Sequence, residues 1–308
     1  MIVALAGGVG GAKLAAGLAR VLPPEELVIA VNTGDDFEHL GLHVSPDLDT
    51  VMYTLAKIAN RETGWGRADE TWSFMEALAR LGGPTWFKVG DRDLATNVER
   101  TRRLRAGETL SEVTRDLCAR LGVRHAVVPM SDDPVRTIVH TDRGALEFQH
   151  YFVRDRCEPR VQRLEYRGAA GARPSAALRA ALVRGAGVLF CPSNPYLSIA
   201  PILAVPGVRD AIAGRAVAVS PIIAGRAVKG PAAKIMHELG MAPSALEIAR
   251  YYRGIVHTLV IDRADAALAP AIETLGIRTV QEDTLMGGDS DRKRLASACV
   301  ALLERVRA

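Results

Sequence analysis

The start of the chain carries the feature that most constrains the fold: an apolar strand that runs directly into a glycine-rich turn and a helix. Residues 2–6 are all apolar, residues 7–13 read Gly-Gly-Val-Gly-Gly-Ala-Lys, and an Ala- and Leu-rich stretch continues to Val21. Glycine adopts positive φ angles and lets a ligand approach the backbone without a Cβ atom in the way. The N–H groups and dipole at the start of the helix favour a phosphate. This segment predicts an α/β protein with a phosphate-binding loop, and close strand–helix packing is the alternative reason for its glycines.

Two well-known phosphate-binding loops do not fit the turn. In the dinucleotide fingerprint G-x-G-x-x-G, Gly8 and Gly10 occupy two glycine positions, but Lys13 stands at the third. The acidic residue expected at the end of the second strand is absent, because that strand runs into Asn32. The Walker loop needs Gly-Lys-Ser/Thr, whereas this chain has Ala-Lys-Leu at residues 12–14. The turn is therefore neither an ordinary NAD site nor a Walker ATPase loop. Its candidate phosphate-binding residues are Gly8, Gly10, Gly11 and Lys13.

Strand-like and helix-like segments alternate along the chain, which is typical of a parallel, doubly wound sheet with helices on both faces. We therefore predict a Rossmann-like core formed by residues 1–42 and 123–308. Residues 43–122 are mostly helical and are predicted to be an inserted subdomain that covers the site. A small β-hairpin is predicted at about residues 135–167, with a strand over residues 145–153.

Three helices are predicted within the insertion from capping signals and apolar periodicity. Ser45-Pro46 begins the first, residues 69–81 form the second, and Thr109-Leu110-Ser111-Glu112 is a capping box that begins the third. The arginines at positions 100, 102, 103 and 105 are interpreted as a solvated helix face, with a phosphate-binding edge as the alternative.

Composition excludes several functional classes. No stretch approaches the ~18 apolar residues that span a bilayer, and no basic segment precedes the first apolar run, so a cytoplasmic protein is expected. The four cysteines form no C-x-x-C pair, which argues against a zinc or redox site. The net charge is only +4, and no basic tract alternates with aromatic residues as in proteins that bind single-stranded nucleic acid. Small molecules are the expected partners.

Two pairs of aspartates follow the second predicted strand. Asp35 and Asp36 lie in the loop at its carboxyl end, where open α/β sheets bind ligands. Asp47 and Asp49 lie in the first turn of a helix, where residues two apart do not share a face. One of this second pair is therefore predicted to point at the site and the other to stabilise the helix N-terminus. Mg²⁺ is commonly bound by one or two such carboxylates beside a phosphate. The alternative is that all four aspartates only cap helices or stabilise turns.

Polar clusters follow several other predicted strands and are expected to converge on one edge of the sheet. Ser193 and Asn194 follow the strand at residues 187–191. Arg92 lies in an acidic turn and suits bidentate contact with phosphate. The chain has no G-x-S-x-G or H-E-x-x-H pattern, so a covalent serine nucleophile or a zinc-protease site is not predicted.

Eight motifs taken together, in this order and over nearly the whole chain, resemble the 2-phospho-L-lactate transferases of coenzyme F-420 biosynthesis. The motifs begin with Gly-Gly-Val-Gly-Gly-Ala-Lys, Asn-Thr-Gly-Asp-Asp and Ser-Pro-Asp-Leu-Asp-Thr-Val. They occupy residues 7–13, 32–36, 45–51, 86–96, 129–134, 192–195, 198–203 and 220–225.

The resemblance implies a specific phosphodiester-forming reaction. The acceptor would be 7,8-didemethyl-8-hydroxy-5-deazariboflavin, which attacks through its terminal ribityl hydroxyl. The donor would be the guanosine diphosphate ester of a small phospho-acid (2-phospho-L-lactate, phosphoenolpyruvate or a related acid), and GMP would leave. The family also implies Mg²⁺, a Rossmann-like core with added helices, and a homodimer.

The resemblance also implies roles for individual residues. Asp35 and Asp49 resemble the family's metal-site acids and are predicted to bind Mg²⁺ and to be catalytic; Asp49 is the first candidate for a base and Asp47 the reserve ligand. The glycine loop with Lys13 is predicted to bind the diphosphate. Further substrate contacts are predicted for Arg92 with phosphate, for Ser193 and Asn194 with the nucleotide, and for Asn32, Asp36 and Lys88 with the deazaflavin.

Two other functions are compatible with a glycine loop on this fold. An NAD(P)-dependent oxidoreductase would bind a nicotinamide cofactor, but the missing third glycine and ribose-binding acid argue against it. A non-catalytic regulatory protein would bind GDP without turnover, and its acids would be structural.

Overall fold

The computed structural model describes residues 1–60, 62–228 and 230–307; positions 61, 229 and 308 of the predicted insertion and core lie outside the described residues. Its strands are β1 (Ile2–Ala6), β2 (Leu27–Val31), β3 (Phe37–His39), β4 (Leu42–Val44), β5 (Ala126–Pro129), β6 (Arg136–Thr141), β7 (Gly144–Glu147), β8 (Val161–Arg167), β9 (Gly187–Phe190), β10 (Ala216–Val219), β11 (Ile222–Ile223), β12 (Arg226–Ala227), β13 (Val256–Asp262) and β14 (Arg278–Glu282).

The helices surround the sheet and fill the predicted insertion. They are α1 (Gly8–Val21), α2 (Pro46–Leu55), α3 (Ser73–Arg80), α4 (Asp91–Arg105), α5 (Leu110–Arg120), α6 (Ala176–Val183), α7 (Ala200–Ala204), α8 (Val208–Ile212), α9 (Ala232–Glu238), α10 (Ala245–Tyr251), α11 (Ala269–Glu273) and α12 (Asp289–Arg307). Among the residues that the structure describes, none of these helices combines the length and the apolar character that a bilayer span requires.

Seven strands form one parallel sheet in the order β14-β13-β10-β9-β1-β2-β5. The chain passes from β1 outward through β2 to β5, then crosses to β9 and continues outward on the other side. The direction of winding therefore reverses between β1 and β9, which confirms the doubly wound prediction. In such sheets ligands bind beside the carboxyl ends of the strands at this reversal.

The central strand β1 is buried on both faces and divides the core in two. Val3 and Leu5 contribute to one apolar cluster, whereas Ile2, Ala4 and Ala6 contribute to the other. This alternation follows from the two-residue period of a strand, and it explains why the whole of β1 is apolar.

Four helices, α2 to α5, fall within residues 43–122, before β5. The predicted helix over residues 69–81 is shorter than expected, because Asp69 has a positive φ of 54° and α3 begins only at Ser73. The capping box that begins α5 is present: the Thr109 side chain accepts from the Glu112 N–H, and the Glu112 side chain accepts from the Thr109 N–H.

A separate antiparallel sheet, β7-β6-β8, occupies the region predicted as a hairpin. The prediction of a strand through residue 153 was wrong, because β7 ends at Glu147 and residues 150–154 form a π-helical turn. Phe148 and Tyr151, three residues apart, are both buried, and a helical turn places such a pair on one face.

Candidate active site

A cleft of about 580 Å³ opens at the carboxyl ends of β1, β9 and β10, beside the point where the winding reverses. Its size is that of a small-molecule site. Four kinds of surface line it: the glycine loop, buried acids, an aromatic wall, and the turns after β9 and β10.

The glycine loop joins β1 to α1 and is held by two side chains from elsewhere in the chain. Gly7 N–H donates to Ser193 Oγ at 3.0 Å, and the same hydroxyl donates to Gly7 O at 2.8 Å. Gly8 N–H, at a residue with φ of 60°, donates to Asp47 Oδ1 at 2.7 Å. The first two amides of the loop are therefore bound within the protein, whereas Val9 and Gly10 line the cleft.

Close packing accounts for three of the four glycines in this loop. A Cβ atom would lie 2.4 Å from Asp47 Oδ2 if built on Gly7, 2.2 Å from Pro192 O if built on Gly10, and 2.5 Å from Ser193 Oγ if built on Gly11. Gly11 is not among the residues that line the cleft. The loop therefore serves both close packing and the cleft surface, rather than one of the two alternatives alone.

Asp35 and Asp47 line the cleft and share one amide. Asn32 Nδ2 donates to Asp35 Oδ1 at 2.8 Å and to Asp47 Oδ2 at 2.9 Å. The two aspartates are 7% and 5% exposed, and Asn32 lies fully buried beneath them. Burial raises the pKa of Asp35 well above its usual value, and the charge of Asp47 raises it further. Burial also raises the pKa of Asp47, to about 6, against the hydrogen bonds from Asn32 and Gly8.

Asp49 is bound to the insertion rather than exposed in the cleft. Arg100 of α4 donates from Nη1 to Asp49 Oδ2 at 3.1 Å and from Nη2 to Oδ1, and this arginine is 1% exposed. Burial raises the pKa of Asp49, and the Arg100 guanidinium opposes that rise. Of the predicted metal pair, Asp35 therefore lines the cleft, whereas Asp49 is not among the lining residues.

Only half of the arginine cluster on α4 forms the predicted solvated face, because Arg102 and Arg105 are exposed whereas Arg100 and Arg103 are not. Arg100 and Arg103 are buried because residues three apart share a helix face, and both meet acids there. Arg103 pairs with Glu108 and with Asp116 of α5, while Arg102 remains exposed.

Asp36 lies behind the cleft and connects the β3–β4 hairpin to the start of α2. Its Oδ2 accepts from Ser45 Oγ at 2.8 Å and from His43 Nε2 at 3.1 Å. Its Oδ1 is buried and has no hydrogen-bond partner in the described part of the chain. Asn32 and Asp36, both predicted to face the deazaflavin, thus lie beneath the lining surface.

Aromatic side chains for which no site role was predicted form one wall of the cleft, although Trp86 and Phe87 begin the motif at residues 86–96. The Trp86 ring lies between two histidines, with centroid distances of 5.1 Å to His39 and 4.8 Å to His150. Lys88, predicted as a substrate contact, lines the cleft beside this wall. The aromatic lining residues are Trp65, Trp86, Phe87, Phe148 and Phe152.

The turn after β9 forms another part of the lining. Ser193 and Asn194 both line the cleft as predicted, and Asn194 Oδ1 also accepts from the N–H groups of Tyr196 and Leu197. Lys13 lines the cleft with its Nζ 2.9 Å from Met286 O. Arg92 is exposed on α4 and is not a lining residue; its backbone N–H donates to Glu70 Oε2.

Asp35 and Asp47 could hold a magnesium ion if phosphate oxygens and waters supplied the remaining ligands. Within the described ranges, no three His, Cys, Asp or Glu side chains form a ready metal cluster. Mg²⁺, however, commonly takes one or two carboxylates together with phosphate oxygens and waters. Asp35 and Asp47 are two buried, closely placed carboxylates at the cleft surface, and a cation there would offset their mutual repulsion.

Comparison with known proteins identifies the family of this chain. The family described as 2-phospho-L-lactate transferase CofD matches residues 2–294. A phosphoenolpyruvate transferase of Streptomyces griseus is 42% identical over 316 residues, covering 100% of this chain and 99% of that protein. A 2-phospho-L-lactate transferase of Methanosarcina acetivorans is 38% identical over 306 residues, covering 99% and 100%.

A solved structure of a UPF0052 family member from Bacillus halodurans has a TM-score of 0.61 to this chain. It covers 97% of this chain and 98% of its own, at 15% identity, so the likeness concerns the fold alone.

Proposed function

The chain belongs to the 2-phospho-L-lactate transferase family, and we propose that it transfers a small phospho-acid group from its guanosine diphosphate ester to 7,8-didemethyl-8-hydroxy-5-deazariboflavin. The terminal ribityl oxygen forms a new bond to the phosphorus of the phospho-acid. The bond from that phosphorus to GMP breaks, GMP leaves, and the ribityl hydroxyl loses its proton.

One observation carries this proposal: a single cleft joins an aromatic wall, two buried carboxylates and the amide end of a glycine loop. A flat ring system packs well against Trp86 and Phe87. The amides of Val9 and Gly10 at the start of α1, with the Lys13 ammonium, suit the diphosphate of the donor. Phosphoryl transfer requires mainly positioning and charge neutralisation, and these surfaces supply both.

We propose Asp35 and Asp47 as the residues that would hold Mg²⁺, because both line the cleft. The bound ion would neutralise phosphate oxygens as charge develops on them. The predicted roles of Asp49 as a metal ligand and as a base remain predictions. Its contact with Arg100 supports a different role, in which the ion pair fixes the first turn of α2 and thereby positions Asp47. The three aspartates can be separated by experiment.

The reaction is tested by incubating the purified protein with the deazaflavin, Mg²⁺ and each candidate guanosine diphosphate ester, followed by mass analysis. We expect a phosphodiester product and GMP in equal amounts with at least one donor. If no donor gives the product, the transferase proposal is wrong. GDP binding without product would instead favour the regulatory alternative.

The metal assignment is tested with Asp35→Asn, Asp47→Asn and Asp49→Asn, and with the surface change Asp142→Asn as control. We expect the first two to weaken Mn²⁺ binding, read by electron paramagnetic resonance in the presence of GDP, and to lower kcat by about 100-fold or more. Wild-type Mn²⁺ binding in Asp47→Asn, together with its loss in Asp49→Asn, would contradict the choice of Asp47.

A further inference from the structure

A second groove, of about 760 Å³, lies beside the cleft on the far side of Lys13. It is bounded by α1, by the end of α2 and the loop that follows, and by the turns before β5 and α12. The two spaces are contiguous, because four residues line both of them: Val9, Lys13, Thr50 and Gly64.

The groove carries an excess of positive charge. Among the described residues that line it, five are lysines or arginines and two are carboxylates. The cations are Lys13, Arg20, Lys57, Arg124 and Arg292, and the carboxylates are Glu62 and Asp289.

Two arginines share one carboxylate on the floor of the groove. Arg20 Nη2 donates to Asp289 Oδ2 at 2.5 Å, and Arg292 Nη1 donates to Asp289 Oδ1 at 3.3 Å. A guanidinium has five N–H donors, so one carboxylate cannot satisfy two of them. The Nε of Arg292 is buried and has no acceptor in the part of the chain that the structure describes. Arg292 Nε is therefore a buried donor that lacks an acceptor among the described residues, whereas the Arg20 and Asp289 side chains are 36% and 44% exposed.

Lys57 and Arg124 stand exposed at the edge of the groove, and neither side chain has an acceptor or ion-pair partner in residues 1–60, 62–228 and 230–307. Lys57 has a φ of 62° directly after the last turn of α2, a position at which glycine is most common. The chain has a lysine there instead, and its ammonium adds charge to the groove.

We propose that this groove is a second binding site for the phosphate of a guanine nucleotide, contiguous with the transfer cleft. Doubly charged phosphate oxygens are the acceptors that its arginines lack. The identity of the nucleotide rests on the proposed function, in which a guanosine diphosphate ester enters and GMP leaves. Lys13 lines both spaces, so the groove adjoins the part of the cleft proposed to hold the diphosphate.

The test is calorimetric titration of GMP, and separately of inorganic phosphate, into the full chain. The groove variant is Lys57→Gly with Arg124→Ala, in which glycine also suits the left-handed backbone at position 57. The matched control is Arg179→Ala with Arg184→Ala, which removes the same charge from α6 and the residue that follows it, and neither arginine lines either space. Thermal melting verifies that each variant is folded.

Two GMP sites per chain are expected in the unaltered protein and in the control, with the weaker site lost or weakened at least tenfold in the groove variant. A single GMP site, or two sites that the groove variant leaves unchanged, would overturn the proposal. Inorganic phosphate that binds the groove as tightly as GMP would overturn the nucleotide assignment. A chain that binds two GMP molecules but forms no phosphodiester would refute the proposed reaction and leave this inference standing.

Discussion

The ion pair between Asp49 and Arg100 shows how one contact decides the roles of two neighbouring acids. Helical spacing predicts that Asp47 and Asp49 point in different directions, and the structure confirms this. Which of them faces the cleft could not be predicted, because the deciding partner is 51 positions away in the chain, in an arginine cluster that looks solvated. Local periodicity carries no information about such a contact.

We expect Arg100→Met to lower the free energy of unfolding by about 3–5 kcal/mol, because it leaves the buried Asp49 carboxylate without its counter-charge. Urea unfolding measures the loss. The control is Arg102→Met on the same helix, an exposed arginine paired with Glu99, whose loss should change the free energy of unfolding little. Equal small losses in the two variants would show that the buried pair does not stabilise the fold.

The glycine loop allows a second test at the scale of single atoms. Gly10→Ala would place a Cβ atom 2.2 Å from the backbone oxygen of Pro192, so the loop after β9 must move. We expect a loss of about 1–3 kcal/mol in the free energy of unfolding, although alanine is the better helix former. Gly171→Ala is the control, since nothing lies within 4 Å of the added atom. Similar stabilities for both variants would contradict the packing role of Gly10.

At the scale of helices, α2 and α4 meet through a partly buried acid, Asp93, with an unusual pKa. The Tyr53 hydroxyl donates to Asp93 Oδ1 at 2.7 Å. Burial raises the pKa of Asp93 to about 7, and the charge of Asp49 adds to the rise. The folded chain therefore binds this proton up to a higher pH than the unfolded chain does, so this acid makes the fold less stable as pH rises from about 4 to 7.

We expect Asp93→Asn, which keeps an acceptor for Tyr53, to reduce the fall in unfolding free energy between pH 4 and pH 7. Each unit of pKa shift removed is equivalent to about 1.4 kcal/mol. Denaturant unfolding at several pH values measures the slope, and Asp142→Asn at the surface serves as control. A variant that loses stability with pH as steeply as the unaltered protein would show that Asp93 ionises near its usual pKa.

Elements with strong local signals were predicted closely from the sequence. The capping box predicted at Thr109 is present and begins α5. Ser45 does precede α2, but its hydroxyl donates to Asp36 rather than capping the helix. The π-helical turn at residues 150–154 was not predicted, because the one side chain that it buries, Tyr151, packs into the core through contacts distant in sequence.

At the scale of the whole molecule, strand order explains how much of the site the sequence could predict. Loops after parallel strands meet at one edge, so the convergence of the glycine loop with Asp35 and Ser193 followed from the alternating pattern. The aromatic wall did not follow. Trp65 and Trp86 come from two loops and Phe152 from a π-helical turn, and no periodicity connects the three.

Ligands that bind at this edge of the sheet should therefore raise the stability of the whole chain. We expect Mg²⁺ with GDP to stabilise it at pH 8 more than GDP in EDTA does, by about 2.7 kcal/mol when Mg²⁺ is present at one hundred times its Kd. Mg²⁺ requires ionised carboxylates, and the pKa of Asp47 is about 6, so the Mg²⁺-dependent part should disappear as pH falls through 6. Thermal melting at pH 5 and pH 8 measures the Mg²⁺-dependent stabilisation. The variant Asp35→Asn should keep only the stabilisation by GDP. The same Mg²⁺ effect at both pH values, or in Asp35→Asn, would mean that the ion binds elsewhere.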